Sequence, residues 1–276
     1  MIIDAHHHLW NYNTEDFGWM DDSMSVLKQD YLPADLEKQL PEADVCGTVV
    51  VQARQKLEET RWLLEQANEN PFIKGVVGWV ELQSGEVEKQ LAEFASHPVL
   101  CGVRHVIHDE PDDDFMLRPE FVKGIGLLQE FNLTYDLLLF PKHLEKAIEL
   151  VSKFPDQKFV LDHMGKPYIR SGVLEPWREH ITALSEQPNV WCKISGMVTE
   201  ADLNNWKYED FIPYIDTVLE AFGTGRIMLG SDWPVCRMAG EYRDVMDIPL
   251  QYFESFDPAE KNKMYYRNCT DFYQLQ

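Results

Sequence analysis

Asp4, His6 and His8 stand where an apolar strand ends: Met1-Ile2-Ile3 runs straight into Asp4-Ala5-His6-His7-His8, and Leu9-Trp10 follows. Side chains alternate along a strand, so Asp4, His6 and His8 are expected on one face and Ala5 and His7 on the other. Two residues of strand rise set the two imidazoles about 7 Å apart, close enough to serve one substrate atom or one metal ion. A purification-tag remnant would be a longer histidine run and would not sit between Ile-Ile-Asp and Leu-Trp. The strand end therefore reads as chemistry, and the remaining elements have to bring partners to it.

Composition narrows what those partners are. A chain of 276 residues suits one large domain or two small ones, and α/β barrels reach this length as a single domain. A hydrophobic fraction of 45% with 12% aromatics supports a sizeable core. The formal charge of -22 leaves little positive charge to displace phosphate counterions, which argues against nucleic acid and against anionic membranes. No apolar run approaches the roughly 18 residues of a spanning helix, and no basic stretch followed by a hydrophobic one opens the chain. The cysteines Cys46, Cys101, Cys192, Cys236 and Cys269 are scattered and form no CxxC, a usage that suits reduced thiols in the cytoplasm. Cys46, Cys101 and Cys192 fall in apolar strand-like runs and read as small hydrophobes.

Strand-like and helical runs alternate along the whole chain. After the opening strand, a polar and aromatic segment from Leu9 to about Leu32 has the length of a functional loop. Strands are expected at 46–52, 74–80, 100–106, 133–140, 158–163, 189–195 and 226–232. Helices are expected at 33–40, 57–68, 86–96, 119–130, 142–154, 175–185, 211–222 and from 242 onward, the first opening on Pro33. The acidic run Asp109-Glu110-Pro111-Asp112-Asp113-Asp114 reads as solvated charge on the rim that also carries the Leu9–Leu32 loop. Eight apolar strands, each followed by a helix, describe a single-domain (β/α)8 TIM barrel over 1–276, with long βα loops at its C-terminal face. An open doubly wound sheet is the alternative, but no Gly-rich phosphate turn follows the first strand.

In such a barrel chemistry gathers at the C-terminal strand ends. Those ends supply His6 and His8, then Gln52, Arg104 and His105, Tyr135 and Asp136, Asp162 and His163, Lys193 and Ser195, and finally Asp232. Side chains this polar are costly to bury without partners, so their convergence indicates a site.

The arrangement resembles the amidohydrolase superfamily, with His6-x-His8 on the first strand, His163 on the sixth and Asp232 on the eighth. It is most similar to the sugar lactonases of the L-fuconolactonase and L-rhamnonolactonase kind. The likeness rests on six stretches in order: Asp4–Trp10, Gly47–Gln55, Gly102–Val106, Leu161–Pro167, Cys192–Gly196 and Gly230–Val235. Binuclear members of the superfamily usually carry a bridging lysine or glutamate on the fourth strand and a histidine on the fifth. Arg104, His105, Tyr135 and Asp136 stand there instead, which argues against a two-metal site. The resemblance then implies either one divalent ion held by His6, His8, His163 and Asp232, zinc being favoured by the imidazole content, or a metal-free site built from the same residues.

The resemblance implies hydrolysis of a sugar-acid lactone. Such a reaction needs an activated water, a polarised carbonyl and a proton for the departing ring oxygen. Asp232 is the candidate general base. His6, His8 and His163 either polarise the carbonyl directly or ligate an ion that does so. Arg104 is the candidate for orienting the ester or product carboxylate, with a structural ion pair as the plainer alternative. Gln52, Tyr135 and Trp10 are further candidates for substrate contact, and Tyr12, Trp19 and Trp233 are aromatic faces suited to a sugar ring. The acidic rim and the lack of an arginine cluster favour a neutral aldonolactone over a dicarboxylate lactone. A metal-dependent decarboxylase on the same scaffold is the rival enzyme reading.

Overall fold

The computed structural model describes residues 1–276. Its eight strands are β1 (Ile2–His7), β2 (Val45–Val51), β3 (Ile73–Gly78), β4 (Leu100–Val106), β5 (Thr134–Leu138), β6 (Phe159–Leu161), β7 (Val190–Ile194) and β8 (Ile227–Leu229). They pair in parallel and in sequence order from β1 to β8. The ring closes where Asp232 N donates to His6 O (2.8 Å) and His8 N donates to Trp233 O (2.6 Å). The result is the expected (β/α)8 barrel.

The helices that cover it are α1 (Pro33–Glu37), α2 (Leu57–Glu69), α3 (Val87–Phe94), α4 (Pro119–Leu128), α5 (Leu144–Ser152), α6 (Trp177–Ser185), α7 (Tyr208–Phe222) and α8 (Tyr242–Tyr252). Two short helices, α9 (Pro258–Asn262) and α10 (Asn268–Tyr273), end the chain. Pro33 and Pro119 open α1 and α4, where a missing N–H costs nothing and the fixed φ suits a first turn. The strands are short and rich in Val, Ile and Leu, since both faces are buried, one on the helices and one inside the ring.

Two apolar clusters follow from that layering. The larger lies between strands and helices, while a smaller one fills the lower barrel with Ile3, Ala5, Val49, Val51, Val77, Cys101, Val160 and Met228. Cys269, Phe272 and Tyr273 of α10 join the smaller cluster, so the last helix plugs the barrel from below. All five cysteines are free, as expected, but Cys46 is exposed rather than packed as a hydrophobe.

The acidic run is largely exposed, as expected, and its carboxylates also form ion pairs. Asp112 pairs with Arg118 (2.7 Å), Asp113 with Lys142 (2.6 Å) and His143 (3.2 Å), and Asp114 with Lys146 (2.5 Å). Arg118 lies close by in the chain at the start of α4, whereas Lys142 and Lys146 come from around the start of α5, a long-range pairing that a local charge pattern does not reveal.

Candidate active site

β1 does not keep strict alternation. Asp4 pairs with Thr48 and His7 with Val50, so three residues of β1 span two of β2, a bulge that redirects the side chains. Asp4 consequently faces α8 and not the histidine pair: its carboxylate accepts from Ser231 N (2.9 Å), Ser231 Oγ (2.6 Å) and Tyr242 Oη (3.0 Å). Burial raises its carboxyl above the usual range, against those hydrogen bonds. His7 turns outward to Thr48 Oγ1 (2.9 Å). His6 and His8 remain together, with their Nε2 atoms 3.3 Å apart.

Four side chains from three strand ends meet at this point. Asp232 Oδ1 lies 3.3 Å from His8 Nε2, 3.8 Å from His163 Nε2 and 4.0 Å from His6 Nε2. His8 Nδ1 faces the Val51 carbonyl at 2.8 Å, and a carbonyl only accepts, so Nδ1 carries the proton and Nε2 turns its lone pair to the site. His163 Nδ1 sits 2.9 Å from Ser195 Oγ, which makes Ser195 the group that orients this ring. Burial lowers His6 and His163 well below the ordinary imidazole value and keeps both rings neutral. Burial alone would raise the Asp232 carboxyl, but its close approach to His163 and His8 outweighs that and holds the group below its usual value. Asp232 is thus an ionised carboxylate beside three imidazoles.

The backbone beneath these groups is held in an uncommon conformation. His163, Met164, Lys166 and Asp232 all have positive φ (54°, 54°, 51° and 57°), which costs about 1–3 kcal/mol per residue and persists only where surroundings enforce it. Two glycines make room for the rings. A Cβ on Gly196 would stand 2.5 Å from His163 Nδ1, and one on Gly230 would stand 2.7 Å from His6 Cβ.

Above the carboxylate opens a cavity of about 860 Å³, within the range of small-molecule sites. His8, His163, Asp232, Arg104 and Trp10 line it, as the sequence suggests, and His6 lies one layer beneath them. Trp10 is held by Gln29 O (2.9 Å) and packs on Phe17 and Tyr31, which pins the long first loop against the mouth. Trp19, on the same loop, is half exposed over the cavity.

Two expected contacts are absent. Tyr135 points into the helix layer between Phe121 and Phe159, because its neighbour Asp136 takes the inward side of β5. Gln52 is buried behind the wall and donates to Arg104 O (3.3 Å). His105 also turns outward, stacking on Phe115 and bonding Glu110 (2.7 Å).

Sequence reasoning missed the cavity wall. Arg54 and Lys56 after β2 both grip Asp16 of the first loop, and Lys166 pairs with Glu200 at 2.5 Å. Their position just beyond strand ends was the available signal, and Arg54 and Lys166 also lie within the Gly47–Gln55 and Leu161–Pro167 stretches.

Arg104 forms the structural ion pair weighed for it and also lines the cavity. NH1 donates to Asp162 Oδ2 (3.1 Å) and sits 3.2 Å from His6 Nε2, and NH2 donates to Gln52 O, while Nε has no partner although the residue lines the cavity.

His6 Nε2, His8 Nε2 and Asp232 Oδ1, with separations of 3.3, 3.3 and 4.0 Å, fit a single tetrahedral ion, for which bonds of about 2.0–2.1 Å give edges of about 3.3 Å. Imidazole and carboxylate donors of this kind suit zinc among the divalent ions.

A (β/α)8 barrel that gathers imidazoles and a carboxylate at its strand ends in this way carries a candidate metal-binding group in the place where barrel enzymes do their chemistry. The chain belongs to the amidohydrolase family, whose model matches residues 3–275. It is 37% identical to an L-fucono-1,5-lactonase of Burkholderia ambifaria over 245 residues, covering 88% of this chain and 83% of the relative. It is 35% identical to an L-fucono-1,5-lactonase of Burkholderia multivorans over 274 residues, covering 95% and 92%. A crystal structure of an amidohydrolase from Burkholderia multivorans with bound Zn superposes over 100% of both chains, with a TM-score of 0.97 and 34% identity.

Proposed function

We propose that this protein is an enzyme that hydrolyses lactones of sugar acids, with neutral aldonolactones such as L-fucono- or L-rhamnonolactone as its substrates and residues 1–276 as one catalytic barrel domain. The observation that carries the reading is the ionised Asp232 carboxylate, buried under a small-molecule cavity and within 4.0 Å of three imidazoles.

Asp232 accepts a proton from water as the water attacks the lactone carbonyl, and returns it to the ring oxygen as the C–O bond breaks. His8 directs a lone pair at the same space and holds the water in line. His163, oriented by Ser195, is the donor available to the carbonyl oxygen as its charge grows, and the Arg104 guanidinium at the cavity wall adds positive charge beside it. Arg104 then meets the carboxylate product.

His6, His8 and Asp232, with His163 beside them, would hold one divalent ion, zinc by preference, which supplies Lewis acidity at the carbonyl. The zinc-bound relative supports this assignment.

The cavity wall supports a neutral ring over a dicarboxylate. Arg54, Lys56 and Lys166 are already paired with Asp16, Glu59 and Glu200, and Arg104 with Asp162, so the wall offers no cluster of free cations for a dicarboxylate. Trp10 and Trp19 offer apolar faces for the C–H side of a sugar. The decarboxylase reading has no comparable support, since the relatives above one-third identity are named as lactonases. The free cysteines accord with a cytoplasmic enzyme, and no helix is long and apolar enough to cross a membrane.

A pH-indicator screen over five- and six-membered aldonolactones, L and D, tests the proposal. Acid release above the spontaneous rate is expected from at least one L-sugar lactone. A flat response over the whole panel refutes it.

A further inference from the structure

Below the cavity, out of reach of any ligand in it, lies a second set of charges that the reaction as described does not use. Lys193 of β7 is fully buried, as are Asp136 of β5 and Asp162 at the end of β6. Lys193 Nζ stands 2.6 Å from Asp136 Oδ2, 2.9 Å from Asp162 Oδ1 and 3.2 Å from His6 Nδ1. Tyr273 of α10 reaches up from the barrel floor and donates to the same Asp136 Oδ2 at 2.7 Å. None of these four side chains lines the cavity.

With Arg104, the set contains two cations and two carboxylates, so it is internally balanced. Balance alone does not explain its presence, because apolar side chains of similar volume would fill a barrel interior at least as well. What the ions add is direction. Asp162 uses Oδ2 for Arg104 (3.1 Å), while Oδ1 faces Lys193 and, at 3.3 Å, His6 Nδ1. One carboxylate thereby fixes two groups of the reacting centre, and Lys193 is the contact that stops it from turning. His6 has its Nδ1 edge against this cluster and its Nε2 edge toward His8, Arg104 and Asp232. Rotation of Asp162 would release the imidazole and the guanidinium together.

We propose that Lys193 is a positioning residue for the reaction, acting through Asp162 on His6 and Arg104, and that Tyr273 braces it from the opposite end of the barrel. The hydrolysis itself rests on the reading given above, whereas the positioning of His6 is measurable without turnover. The chain's last helix is then part of the catalytic apparatus as well as a plug: its phenol is linked to His6 through Asp136 and Lys193.

The test pairs steady-state kinetics on L-fucono-1,5-lactone with 15N spectra of the imidazole nitrogens, His6 being assigned by the signal lost in His6→Asn. Because a lone Lys193 substitution leaves unpaired carboxylates, the informative variant is the charge-balanced double Lys193→Met with Asp136→Asn. It is expected to fold and to lose about 10–100-fold in kcat, as substitutions of groups behind a reacting side chain do, with KM held within about twofold. Its His6 nitrogens should move toward tautomer-averaged shifts. Tyr273→Phe should move both readouts in the same direction by less, about 3–10-fold in kcat, and it decides alone if the double variant does not fold. A folded double variant with parental kcat overturns the proposal, as does a fall in kcat with His6 shifts unchanged. So do parental kcat and spectra in Tyr273→Phe. If the parent opens no lactone, the functional reading fails, and the His6 spectra of the variants still decide whether the brace exists.

Discussion

Glu59→Gln should flatten the pH dependence of stability. Glu59 on α2 is fully buried, and its Oε2 accepts from Arg54 N (2.7 Å) and Ala53 N (3.2 Å) at the start of the loop carrying Arg54, Gln55 and Lys56 along the cavity. Burial raises its carboxyl from 4.5 to about 7, against the hydrogen bonds and charge of Arg54. A folded-state value above the unfolded one means that the folded protein binds the extra proton. This contribution is therefore fully present below about pH 4.5 and is lost as pH rises through about 7. At about 1.36 kcal/mol per unit, the displacement amounts to about 3 kcal/mol, of which about 2.5 kcal/mol disappears between about pH 5 and pH 8. Glutamine keeps an oxygen for both backbone donors and has no charge to bury. Urea denaturation of both proteins across that interval, at constant ionic strength, reads the difference directly. The stability of Glu59→Gln relative to the parent should rise by about 2.5 kcal/mol from the acid to the alkaline end. Parallel curves would refute the argument, since they would mean that Glu59 titrates alike in both states.

Three further outcomes are expected. Gly196→Ala combines a φ of +60° with a Cβ 2.5 Å from His163 Nδ1, so it should cost about 1–3 kcal/mol in thermal unfolding and depress kcat more than KM. Steady-state kinetics beside calorimetry separate the two effects. Trp19→Ala, at a half-exposed position over the cavity, should raise KM for a sugar lactone without moving Tm by more than about 2 °C, a surface-sized effect. Exhaustive chelation should lower turnover in proportion to metal lost, with zinc restoring it; full activity at well under one equivalent by elemental analysis would remove the ion from the account.

Much of the scaffold was legible because burial on both faces leaves a strong mark. The strands after β1 are short and mostly apolar, and β2, β6 and β8 run into Gln52, Asp162 and Ser231-Asp232, a pattern that marks the strands and the mouth they share. His8, His163, Asp232, Arg104 and Trp10 reach the cavity for that reason. The failures share a cause as well. Strict alternation put Asp4 beside His6, but a bulge in β1 sends it to Tyr242 on α8. On β5 the inward residue is Asp136 and not Tyr135, and sequence cannot fix that phase when both neighbours of an apolar strand are polar. Lys193 was visible at a strand end, but its partners come from β5, β6 and α10, so nothing local marked it as a hub. The acidic loop was legible as solvated charge, but its ion pairs were not, since two of its three cations, Lys142 and Lys146, lie far along the chain.

The account depends most on Asp232 as the group that activates water. Asp232→Asn retains the side-chain volume and an acceptor oxygen, so circular dichroism and Tm should stay close to parental values. The rate of acid release from L-fucono-1,5-lactone by this variant is expected to fall by about 10²–10⁴-fold, the span attributable to a positioned acid–base group. A folded Asp232→Asn protein that opens the lactone within about threefold of the parental rate would contradict the mechanism, because a carboxamide has no proton affinity with which to activate water.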